Sequence, residues 1–146
     1  MRRFTVSVVV MTAMFVGSVL LAQTKIATPQ DYTMMMKSNA QNMAGTNKAI
    51  MSGAFADAKT SLATVRGNFM ALQTFWTEKK KDDAVMIVKT GLANIDTLDK
   101  LLSAPTVDQP GALAQAKMIQ GACGACHGAY REGDAQTGFK IKEGVW

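Results

Sequence analysis

Between Phe55 and Trp76 the apolar residues Phe55, Ala58, Leu62, Val65, Phe69, Leu72 and Trp76 recur at alternating spacings of three and four. That rhythm lays them along one side of an α-helix, and a stripe about six turns long has to be covered by other helices. Partners of the same kind follow in the chain. Ala84, Val88, Gly91, Ile95, Leu98 and Leu102 trace a second stripe, and Ala112, Ala116, Ile119, Cys123, Cys126 and Tyr130 a third.

Residues between the stripes set the predicted helix ends. Thr28-Pro29-Gln30-Asp31 reads as a helix start, with Thr28 as N-cap, Pro29 at the first helical position and Asp31 at the electropositive end. A first helix then runs to about Met51, where Ser52-Gly53 supplies a stop. The Lys79-Lys80-Lys81-Asp82-Asp83 cluster reads as a solvated connection, and Ser103-Ala104-Pro105 as the turn after the third helix. A fourth helix opens within Asp108 to Pro110, and Gly133 can end it. Four helices of roughly 20–23 residues, each about 30–35 Å long and joined by short links, predict an all-α, antiparallel four-helix bundle.

A chain of 146 residues has room for one such domain. With 48% hydrophobic and 18% charged residues it has the composition of an ordinary globular protein, which excludes a disordered or collagen-like chain. The first 22 residues are different in kind. Arg2-Arg3 lead an apolar run from Phe4 to Leu21, Ala22 is a small residue suited to a cleavage site, and polar Gln23-Thr24-Lys25 follow. This is the pattern of a signal peptide. A membrane anchor is the rival reading, since the run approaches the roughly 20 apolar residues that span a bilayer. Both readings place the remainder outside the cytosol.

The chain has two cysteines and one histidine, and all three fall in Cys123-Gly124-Ala125-Cys126-His127. Covalent attachment of a c-type haem needs this arrangement: two thiols one helical turn apart for the two vinyl groups, and an adjacent imidazole to bind the iron. Other chemistries fit less well. A redox Cys-x-x-Cys sits at a helix start, where the dipole lowers a thiol pKa, whereas these cysteines lie near a helix end. A zinc site needs four ligands, and no further Cys or His remains to complete a Cys/His set. A disulfide between residues three apart closes almost no loop and stabilises little. A Cys–His nucleophile leaves the second thiol unexplained and has no group to orient the base.

Without Arg2 and Arg3, sixteen basic and eleven acidic side chains become fourteen and eleven, a formal charge of +3. Two haem propionates would reduce this to about +1, too weak a field for a nucleic-acid binder.

With His127 on one side of an iron, the opposite ligand decides between electron transfer and small-molecule binding. The candidates are Met34-Met35-Met36 in the first helix. By helical phase Met36 shares a face with Tyr32, Ala40, Met43 and Ile50, Met35 with Asn39, Asn42 and Thr46, and Met34 with Ser38, Gln41 and Lys48. Met36 is therefore expected to point into the bundle, as iron ligand or as core methionine filling space beside the haem. A copper site from the methionine run is weaker, because the three side chains diverge around the helix.

Cys123 to Arg131, read Cys-Gly-Ala-Cys-His-Gly-Ala-Tyr-Arg, resembles the haem signature of the class II cytochromes c, the cytochrome c prime family. Met36-Lys37-Ser38-Asn39-Ala40-Gln41-Asn42-Met43 is similar to the first-helix segment of its low-spin c-556 type. The resemblance covers roughly residues 29–133, with specific motifs at its two ends. It implies a four-helix bundle with one covalent haem c, Met36 as second axial ligand, and Arg131 beside the haem and the proximal imidazole. A solvated cation at a helix C-terminus is the alternative for Arg131. Many members carry an Arg-Gln pair on the first helix near the propionates, where this chain has Tyr32-Thr33. The connection after Trp76 is also shorter than the family's usual loop. Homodimers occur in the family, so the resemblance admits one here.

The expectation is a signal peptide over residues 1–22, a four-helix haem-binding domain over 23–133 and a C-terminal tail over 134–146. In that tail Phe139, Ile141, Val145 and Trp146 suggest packing back on the bundle. The expected function is periplasmic one-electron transfer to redox partner proteins. Cys123 and Cys126 bind the haem, His127 and Met36 hold the iron, and no stable membrane anchor remains once the signal is cleaved. The alternative is a five-coordinate protein that binds nitric oxide or carbon monoxide. A peroxidase-like enzyme is not expected, since it needs a distal acid–base group and the only histidine is committed.

Overall fold

The computed structural model describes residues 25–146, and the segment expected to be a signal peptide lies outside the described residues. Four helices follow in order: α1 (Pro29–Met51), α2 (Phe55–Glu78), α3 (Asp82–Leu102) and α4 (Gln109–Tyr130). A two-residue strand pair, β1 (Arg131–Glu132) and β2 (Lys140–Ile141), completes the described elements. Among the described residues no helix is long and apolar enough to cross a membrane.

Local chemistry accounts for the helix ends. Thr28 Oγ1 accepts from the Asp31 amide at 3.1 Å while the Asp31 carboxylate accepts from the Thr28 amide at 2.8 Å, a reciprocal capping box with Pro29 beside it. α4 starts similarly, with Asp108 accepting from the Gly111 amide at 3.2 Å. α2 and α3 have no side-chain cap bond, but Asp57, and Asp82 with Asp83, place negative charge in their first turns. Between them Lys80 takes a φ of 55°, which makes the three-residue turn after Glu78.

α1 packs along α2, α2 along α3 and α3 along α4, whereas α1 meets α4 only sparsely. The antiparallel four-helix bundle is thus left incompletely filled between its first and last helices. The three sequence stripes supply the core: Ala58, Leu62, Val65, Trp76, Ala84, Ile95, Leu98, Ala112, Ala116 and Ile119 are buried almost completely. Each large member contributes about 1.5–3 kcal/mol by leaving water. In α4 the buried stripe ends at Ile119, and Cys123, Cys126 and Tyr130 are only half-buried, so a space opens beside them.

Two expectations need correcting. α1 buries Met35, Asn39, Met43, Thr46 and Ile50, so Met35, expected on a polar face, joins the core, while Met36 is partly buried against it. The α1 face that is covered is the one turned to α2, where the Asn68 amide donates to Asn39 Oδ1 at 2.9 Å. Nor does Gly133 end the fourth helix. Helix geometry stops at Tyr130, Arg131 is extended, and Gly133 takes a φ of +85° in the hairpin that follows. A Cβ there would collide with the Gly138 carbonyl, so the turn requires glycine.

The tail does pack back. Val145 is buried, Ile141 is packed against the core, and the Trp146 ring lies 5.4 Å from Phe75. Lys142 donates its amide to the Tyr130 carbonyl at 2.9 Å and its ammonium to the Ala129 carbonyl at 2.7 Å, which ties the tail to the end of α4.

Candidate functional site

The unfilled space between α1 and α4 is an apolar cavity of about 340 Å³. Met36, Ala40 and Met43 border it from α1, Phe69 and Leu72 from α2, Val88 from α3, and Cys123, Cys126 and His127 from α4. A second cavity of about 340 Å³ borders Tyr32, Met36, Ala40, Cys126 and His127 as well, so the two adjoin where α1 faces the end of α4. Its remaining walls include Tyr130, Arg131, Phe139, Ile141 and Trp146.

Helical phase explains the convergence. Cys123 and Cys126 continue the inward stripe of α4 beyond Ile119, and His127 is four residues from Cys123, so all three share a face. On α1, Met36 stands one position past the core stripe, which turns it away from α2 and toward α4. The structure therefore brings Met36, Cys123, Cys126 and His127 together, and places Arg131 at the second cavity only. Arg131 is not on the helix: it opens β1, and its guanidinium lies 4.1 Å from the centroid of the Phe139 ring.

Asn47 and the tail walls, Phe139 and Trp146, were not among the expected site residues. Asn47 was legible in principle, being seven residues from Ala40 on the same face, whereas contacts of an irregular tail leave no periodic trace. Among the described residues, the buried Asn47 Oδ1 and Trp76 Nε1 have no hydrogen-bond partner.

Burial governs the titratable groups. It pushes the Cys126 thiol up to about 11, with help from Cys123 and Asp83, and raises that of Cys123. Both thiols stay protonated near neutrality, unlike the activated thiolate of a thiol oxidoreductase. Burial, and then the charge of Arg131, lower the pKa of His127, so its imidazole is neutral and carries a free lone pair. The Tyr32 phenol is raised, by burial first and then by Cys126, and remains un-ionised. Among the described residues no three His, Cys, Asp or Glu side chains gather as a metal-ion site.

An aromatic cluster closes this end of the bundle. Trp76 lies 4.6 Å from Tyr130 and 5.0 Å from Phe75 between ring centroids, and Tyr32 lies 5.4 Å from Phe75. Tyr130 donates its hydroxyl to Asp83, fastening the end of α4 to the start of α3.

Comparison with family models, curated proteins and solved structures finds no match to this chain. The chemistry of the site has to be read from its own residues.

Proposed function

We propose that this chain is a monohaem c-type cytochrome that carries single electrons in the periplasm, with the haem held covalently by Cys123 and Cys126. The observation that carries the reading is that His127 of α4 and Met36 of α1 border the same apolar cavity, with both thiols on its wall. The His127 imidazole and the Met36 thioether are donors that would hold the iron of a low-spin haem, and the two thiols one turn apart would bind its vinyl groups. The adjoining cavities fall in the size range of cofactor sites. The resemblance of Cys123–Arg131 to the class II haem signature points the same way.

Bound there, a haem supplies the one-electron ferric/ferrous couple. The protein's part is to hold and insulate it. Phe69, Leu72 and Val88 exclude water from one side, and low polarity there disfavours the more highly charged ferric form. Burial first, and the charge of Arg131 second, favour the neutral imidazole of His127.

Mass spectrometry of the protein exported from a host with haem-attachment machinery tests attachment: the expected mass exceeds the mature chain by one haem, with no free thiols. Visible spectra with and without carbon monoxide then test the iron. A ferric methionine-to-iron charge-transfer band and no carbon monoxide adduct are expected. A high-spin spectrum that takes up carbon monoxide would favour the five-coordinate, gas-binding alternative, and absence of haem would sink both.

A further inference from the structure

The two adjoining cavities differ in charge. Among the described residues the walls of the first carry no Lys, Arg, Asp or Glu, whereas the second has Lys37, Arg131 and Lys140 on its border and no acid. Strand register separates these cations. Arg131 pairs with Ile141 and Glu132 with Lys140, so on this two-stranded ribbon Arg131, Phe139 and Ile141 share one face and Lys140 the other. Lys140 is accordingly engaged by Glu132 at 3.2 Å. Arg131 is steadied against Phe139, and Lys37 comes from α1.

The nearby acids are already partnered. Asp31 accepts from the backbone of Thr28 and Ala27, Asp83 from Tyr130, and Glu132 pairs with Lys140. Of the other cations, Lys79 sits over Phe75 and Trp146, and Lys142 caps α4. Lys37 and Arg131 are left facing a cavity without a counter-charge of its own. The hairpin that sets Arg131 is itself a made structure: Gly133 permits the turn, and Asp134 accepts from the amides of Gln136 and Thr137 at 2.9 and 2.7 Å.

We propose that the cavity beneath the C-terminal hairpin is the carboxylate-holding end of the site, with Lys37 and Arg131 receiving the two propionates while the first cavity takes the apolar edge of the porphyrin. This rests on the haem reading given above. It makes the tail part of the binding site.

The test uses the full mature chain carrying C123A and C126A, so that porphyrins bind reversibly, titrated with haem and with haem dimethyl ester. Haem should bind roughly tenfold more tightly than the ester, the scale of two partly exposed charge pairs. Adding K37Q and R131Q should bring the two affinities together, with α-helical circular dichroism unchanged. The charge-matched control K117Q, on the outer side of α4, should keep the preference. Equal affinities in the C123A/C126A chain, or a preference that survives K37Q/R131Q, would overturn the assignment while haem attachment in the unmutated chain still stands. Failure of the unmutated chain to acquire haem overturns both readings.

Discussion

Gly91 of α3 lies against the ring of Phe69 on α2, so closely that a Cβ at position 91 would run into Cε1 and Cδ1 of the ring. Helix propensity alone would favour alanine there by up to about 1 kcal/mol. Overpacking a core typically costs about 1–3 kcal/mol, and Phe69 is itself buried at the border of the cavity. Gly91→Ala should therefore lower stability by about 1–2 kcal/mol in urea unfolding, and should perturb the absorption of a bound haem. An unchanged or raised midpoint would mean that Phe69 yields without cost.

The link between Tyr130 and Asp83 predicts a pH signature at both extremes. The Tyr130 hydrogen bond holds the Asp83 carboxyl below its ordinary 3.8. A depressed carboxyl contributes stability that is present above its unfolded pKa and lost as pH falls through the folded one. Asp83 in turn pushes Tyr130 from 10.0 to about 12. That contribution is complete below pH 10 and disappears as pH rises through about 12. Tyr130→Phe should flatten both limbs of a stability-against-pH profile; limbs as steep as in the unmutated chain would show that the bond does not act in solution.

Thr28 caps the helix that presents Tyr32 and Met36 to the site. Thr28→Ala removes the side-chain acceptor for the Asp31 amide and should cost about 1 kcal/mol. Hydrogen exchange should quicken in the first turns of α1 and not in α3. Uniform quickening would indicate global destabilisation in place of local fraying.

Much of the fold was legible because three of its helices carry unbroken stripes: every member of the α3 stripe from Ala84 to Leu102 is buried. The Cys123–His127 cluster was legible for a different reason, since two thiols and an imidazole in five adjacent residues need no tertiary information to be noticed. α1 was harder. Its polar Asn39 and Thr46 are buried because Asn68 and the Asn42 carbonyl satisfy them, so polarity misassigned the face on which Met35 lies. The end of α4 is not legible from Gly133, which serves a hairpin turn: a glycine in sequence does not say whether it ends a helix or turns a ribbon.

Adjacent methionines of α1 should consequently separate stability from spectroscopy. Met35 is 5% exposed and packed in the core, so Met35→Ala should cost about 2–5 kcal/mol, leaving the spectrum of the loaded protein as it was. Met36 is half-buried at the border of both cavities, where truncation enlarges an existing space and creates no new one. Met36→Ala should lower stability less, yet abolish the methionine-to-iron band and open the iron to carbon monoxide. If the band instead disappears in the Met35 variant and survives in the Met36 variant, the helical phase that directs Met36 toward His127 is wrong for the loaded protein, and α1 must rotate when haem is bound.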